Sequence, residues 1–173
     1  MKEVEKYTPW PNGVLLKPGE HCGVNARVLN GNIDICTQFF ENENLTDKDR
    51  VAIIYHEVFH IKNDKQTEMK EKRIEPIRLN PPAEFKEFIM KYLVIPSDYN
   101  SYNEPIRTNE INLAYNSIIT VYRILPPIYY ENEITAYSNE MQTITDVSLY
   151  YKTMREYKLW ENKELYKISI QKY

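Results

Sequence analysis

The sequence predicts an α+β fold, with an N-terminal β-hairpin or small sheet packed on a mostly helical remainder. Three observations carry this reading. All four glycines fall before residue 32, together with Pro9, Pro11 and Pro18, so turns crowd into the start of the chain. Asn30-Gly31 separates two runs of alternating apolar residues, Val24–Leu29 and Asn32–Cys36, and this dipeptide favours the tight turn of a hairpin. Beyond the polar stretch Glu41–Asn44, apolar residues recur every three or four positions, the period of helices with one buried face.

Each element follows in order. Residues 24–38 form the hairpin. Thr46 suits a helix N-cap and Asp49 answers it three residues later, so a helix runs from about Asp47 to about Lys62 and Asn63-Asp64 ends it. Residues 63–76 are charge-rich and aperiodic, and read as a solvated loop or a frayed, exposed helix. Pro81-Pro82 opens a helix at Ala83–Leu93, with Phe85, Ile89, Tyr92 and Leu93 at helical spacing. Ile95-Pro96 stops it, and Ser97–Arg107, rich in Asn, Tyr and Ser, reads as loop. Helices are then expected at Glu110–Leu125, closed by Pro126-Pro127, and at Tyr130–Thr143. Residues 146–170 read as one or two helices with a Tyr/Leu/Trp stripe. No repeat or low-complexity linker divides the 173 residues, so 1–173 is taken as one domain with its own core.

Composition excludes some functions. The net charge is −3 with no basic block, which argues against a nucleic-acid surface. No apolar run approaches the ~18 residues of a membrane span. The charged start Met1–Lys6 is not followed by an apolar stretch of signal-peptide length, and both a cytoplasmic protein and an exported one with a trimmed leader stay open. Cys22 and Cys36 are the only cysteines. Without a Cys-x-x-Cys they make neither a zinc ribbon nor a thioredoxin-type motif, and read as a disulfide or as two buried thiols. The fifteen tyrosines read chiefly as amphipathic edges of a small core.

The chemistry lies in His56-Glu57-Val58-Phe59-His60. Histidines four apart on a helix share one face, one turn apart, and both can reach a single Zn²⁺ at ~2.0–2.1 Å. Glu57 lies about 100° round from His56. There it flanks the metal and can take a proton from water that the metal activates, as general base. Two of the three histidines fall in this motif. On the same helix Val51, Ile54, Val58 and Ile61 lie opposite His56 and should face core. A catalytic zinc needs a third protein ligand and an open position. The metzincin completion is excluded, since Asn63 stands where glycine is required and Gln66 where the third histidine would be. His21 is the one remaining histidine, with no spacing that ties it to the pair.

The downstream run Tyr130-Glu131-Asn132-Glu133-Ile134-Thr135-Ala136-Tyr137 resembles the second helix of the gluzincin metallopeptidases, whose His-Glu-x-x-His helix is followed by a ligand glutamate. Asn132-Glu133-x-x-Ala136 is similar to their Asn-Glu-x-x-Ser/Ala pattern. The resemblance covers these two short segments. It implies a minimal zincin-like fold, zinc held by His56, His60 and Glu133, and hydrolysis of a peptide or protein substrate with Glu57 as base. Glu131 competes with Glu133, but the two point about 160° apart on a helix, so only one faces the metal. The family pattern has an aspartate four residues after the ligand glutamate, to orient a histidine. Tyr137 stands there, so other carboxylates must do that work. Tyr137, or Tyr130, is a candidate donor to the oxyanion of amide hydrolysis. In zincins a strand upstream of the metal helix borders the cleft as a sheet edge, and Asn32–Cys36 is the candidate for that edge. The alternative functions are a catalytically silent binding module with the zincin fold, or a regulatory or effector protease dedicated to one partner.

Overall fold

A computed structural model describes residues 1–19, 22, 24–66, 68–93 and 119–173. The fold is α+β, with two small sheets and a majority of helix. The His21 alternative, the Ser97–Arg107 loop and the first part of the Glu110–Leu125 segment lie outside the described residues.

The hairpin forms as its turn residues require. β2 (Ala26–Leu29) and β3 (Asn32–Ile35) pair antiparallel, with Val28 opposite Ile33. Asn30 (φ 51°) and Gly31 (φ 73°) both take the left-handed backbone that this tight turn needs. A strand not foreseen, β1 (Leu16–Pro18), pairs parallel with the other side of β3 and makes the order β1-β3-β2. β3 is therefore central, and the expectation that Asn32–Cys36 offers a free edge is corrected: its main-chain groups are taken on both sides. The edge nearest the long helix that follows is β2. A short helix, α1 (Thr37–Glu41), then turns the chain. Cys22 and Cys36 are joined in a disulfide that ties the loop before β2 to the end of β3. Closing a loop of that size stabilises by about 3 kcal/mol through the unfolded chain. Cys22→Ser/Cys36→Ser is expected to lower the unfolding free energy by about that amount in urea denaturation.

α2 (Asp47–Asn63) carries the histidine pair, and its start is capped as predicted. Thr46 Oγ1 accepts from Asp49 N at 3.2 Å, and Asp49 Oδ2 accepts from Thr46 N at 2.8 Å. The fully buried Asp49 carboxylate does more. It accepts from Ser148 N (2.8 Å) and Ser148 Oγ (2.6 Å), while Ser148 Oγ in turn caps the last helix through Tyr151 N (3.1 Å). One carboxylate thus closes the N-termini of two helices. Asp49→Ala strands buried donors at both, and a loss of about 2–3 kcal/mol is expected in thermal or urea unfolding.

The core lies between the three-stranded sheet and α2. Ile33, Ile35 and Ala26 meet Ala52, Ile53, Tyr55 and Val58, with Val4, Phe39, Leu45, Ile144 and Tyr151 closing the edges. Of the four residues expected on the apolar back of α2, Val58 is fully buried, while Val51, Ile54 and Ile61 are half-buried against the same cluster. The helix is covered on further sides because α4 (Pro127–Thr143) packs across it.

The last residues of the 63–76 segment read as loop or frayed helix instead begin a strand, β4 (Lys72–Leu79), paired antiparallel with β5 (Ile119–Ile124). The register shifts between Arg73 and Ile77, around Pro76, which lacks the N–H a regular ladder needs. β5 also corrects the helix expected up to Leu125: Ile119-Thr120-Val121 is β-branched, stiff at χ1, and fits a pleated ribbon better than a helix. α3 (Ala83–Phe88) runs into a π-helical turn at Ile89–Leu93, matching the expected span with a change of pitch. α4 starts at Pro127, three residues earlier than expected, with proline in its first turn. α5 (Leu149–Lys172) is one continuous helix. No helix among the described residues is long and apolar enough to cross a membrane.

Candidate metal centre

α2 sets His56 and His60 one turn apart with their rings edge to face, centroids 4.6 Å apart and Nε2 atoms 2.9 Å apart. α4 crosses α2 and presents Glu133 to both. Its Oε2 is 3.6 Å from His56 Nε2 and its Oε1 3.3 Å from His60 Nε2. The three ligand atoms lie within 4.8 Å of one another. A tetrahedral ion with bonds of ~2.0–2.1 Å would hold its donors roughly 3.3 Å apart, so this group has the spacing to hold a metal ion.

The far side of each imidazole is also held. His56 Nδ1 pairs with Glu140 Oε2 at 3.1 Å, and His60 Nδ1 with Asp64 Oδ1 at 2.7 Å. Both remote nitrogens face a carboxylate acceptor, which favours Nδ1–H and turns each Nε2 toward Glu133. Metal-ligating histidines have this arrangement. Neither carboxylate was named from the sequence, although the signal was there. Asp64 is four residues after His60, and Glu140 is seven after Glu133, two turns on along the same helix face. They meet the expectation that carboxylates other than residue 137 orient the histidines.

Electrostatics agree with the geometry. Burial alone pushes the His56 imidazolium down, but the hydrogen bonds it donates to the Glu133 and Glu140 carboxylates outweigh it and raise its pKa to about 10. Burial likewise pushes Glu133 up, and the His56 hydrogen bond with the charges of His60 and His56 holds it below the usual carboxylate value. A pocket that favours positive charge at the buried His56 this strongly also favours a divalent cation. Half-buried Glu57, next to His56 on the helix, has its carboxyl raised chiefly by burial, with the two histidines opposing. A base with raised pKa is better matched to taking a proton near neutrality.

The other expected residues sort clearly. Glu131 points away from the histidines: its carboxylate accepts from Tyr166 Oη at 3.0 Å and sits 3.6 Å from Lys65 Nζ. The Tyr137 ring lies against His56, centroids 4.2 Å apart. Tyr130 is not at the site, because its hydroxyl accepts from Leu125 N at 3.1 Å, just past β5. Tyr129, one turn before Glu133, was missed. Its phenol is pushed strongly up by burial, with Glu133 among the nearby charges. Asn132 clasps the chain after Asp64: its Oδ1 accepts from Lys65 N (3.3 Å) and its Nδ2 donates to Lys65 O (3.1 Å).

Comparison with models of known families, with curated proteins and with solved structures finds no match for this chain.

Proposed function

We propose that this protein is a zinc-dependent hydrolase, a peptidase built on the gluzincin plan, with His56, His60 and Glu133 as metal ligands and Glu57 as general base. The observation that carries the reading is the convergence of two Nε2 atoms and one carboxylate from crossing helices, each imidazole backed by its own acid, with a half-buried glutamate beside them. Two imidazoles and one carboxylate suit zinc and leave room for a fourth donor. Zinc bound there would act as a Lewis acid, polarising the scissile carbonyl and acidifying water.

The protein's own groups do the rest. Glu57 takes the proton from the attacking water and delivers it to the leaving amine. Asp64 and Glu140 keep the imidazoles oriented and electron-rich. Tyr137, against His56, is the proposed donor to the developing oxyanion. An extended substrate would meet β2, the outer strand of this sheet among the described residues, rather than β3. Retention of a glutamate at position 57 favours this reading over a silent binding module, which has no use for a base. The disulfide fits an oxidising compartment and hence an exported enzyme.

The test is elemental analysis of the purified protein after equilibration with zinc, together with hydrolysis of a quenched-fluorescence peptide library. One zinc per chain and chelator-sensitive cleavage are expected. Absence of zinc under metal-replete conditions overturns the reading. Within the same assay Asp64→Ala is expected to weaken zinc binding about tenfold, the lower end for loss of such a partner. Asp64 is partly exposed, so water can take its place on His60.

A further inference from the structure

We infer that Arg155 is a positioning residue for the metal centre, acting through Glu140 on His56; this rests on the metal reading above. Arg155 lies on α5, far from the ligands in sequence and 3% exposed. Its Nη1 donates to Glu140 Oε1 at 3.2 Å, and the other oxygen of that fully buried carboxylate is the one that meets His56 Nδ1. Glu140 thus meets His56 through one oxygen and Arg155 through the other, Tyr151 on α5 also hydrogen-bonds the carboxylate, and its plane is fixed by two helices at once.

Arg155 is itself fixed. The same Nη1 donates to Ile144 O at 2.8 Å, at the C-terminal end of α4, and the guanidinium lies over the Tyr151 ring at 5.8 Å. A three-helix chain results: His56 on α2, Glu140 on α4, Arg155 on α5.

Stability alone explains this arrangement poorly. Buried ion pairs recover little more than their desolvation cost, and apolar replacements often do as well. Arg155 also leaves its Nε buried without a partner, which adds a penalty. What the arginine does provide is direction. An unpaired glutamate at that depth would lack a counter-charge and could rotate off His56. With Arg155 in place, Oε2 stays on Nδ1 and His56 Nε2 stays aimed at Glu133. The two imidazoles are therefore held differently, His60 by an acid near the surface and His56 by an acid locked from behind.

Zinc affinity by competition with a chromogenic chelator tests this, for the native chain, Arg155→Lys, Arg155→Met, Glu140→Gln and the double variant Glu140→Gln/Arg155→Met. Melting temperatures of the zinc-free proteins are measured alongside. Arg155→Met is expected to weaken zinc binding about tenfold, and Arg155→Lys by less, since one charged donor survives. The Co²⁺-substituted variants should show a shifted visible absorption spectrum. The double variant should bind zinc like Glu140→Gln alone, because the arginine works only through that carboxylate. Native affinity in Arg155→Lys and Arg155→Met, with only their melting temperatures lowered, overturns the inference and leaves the metal site standing. An undiminished Arg155→Met effect in the Glu140→Gln background also overturns it. Should Arg155→Met fail to fold, native affinity and spectrum in Arg155→Lys suffice to overturn it. A native chain that takes up no zinc overturns both the inference and the proposed function.

Discussion

Glu57→Gln is expected to keep its zinc and lose its hydrolysis. The substitution preserves shape and removes only the ability to accept a proton. Glu57 belongs to neither the ligand group nor the carboxylates behind the imidazoles, so zinc per chain should stay at the native value. Loss of a general base costs about 10²–10⁴-fold in rate, and kcat should carry that loss while KM moves little. Elemental analysis and steady-state kinetics on one cleaved peptide settle it. A variant that retains activity within tenfold of native would show that another group takes the proton, and the role of Glu57 would have to be withdrawn.

Glu133→Ala should do the reverse and strip the metal. Glu133 is the one group from α4 that spans both Nε2 atoms, and its removal leaves two ligands where a catalytic zinc needs three. The loss of affinity should exceed the roughly 10–100-fold that an outer partner costs. Differential scanning fluorimetry reads this directly. In zinc at a hundredfold over Kd, a binding-competent protein gains about 2.7 kcal/mol of stability, and Glu133→Ala should gain little of it. Glu131→Ala provides the contrast. Its carboxylate sits with Tyr166 and Lys65, so that variant should melt and bind zinc like the native chain. If Glu131→Ala lost zinc and Glu133→Ala kept it, the ligand assignment would have to be exchanged.

What could be read from sequence divides along physical lines. The Asn30-Gly31 turn, the Thr46/Asp49 cap and the four-residue histidine spacing are local: neighbours within a few positions decide them, and they were legible. Glu133 was reachable because its own helix and the resemblance both pointed to it. The β4–β5 ribbon was not, since its strands are distant in sequence, one is broken at Pro76 and neither alternates cleanly between buried and exposed. Cys22–Cys36 was only one of two readings, as two cysteines alone do not fix their state. Glu140 and Asp64 carried a helical-spacing signal that was legible in principle. Arg155 carried none, because its place depends on how α5 packs on α4. Chemistry-bearing pairs on one helix are visible in a sequence, whereas the groups that steady them from a third helix are visible only in the fold.

The shared cap at Asp49 has a consequence for the order of assembly. Both histidines are synthesised well before Glu133, Glu140 and Arg155, and the start of their helix is finished by Ser148, 99 residues after Asp49. Contacts that far apart form late, after the entropy of closing a long loop has been met. A nascent chain therefore carries two imidazoles without the carboxylate or the clamp that make them a site. On the proposed reading metal capture would be the closing event of folding rather than its seed, and a ribosome-bound fragment ending before α4 should hold zinc no better than any peptide with two histidines.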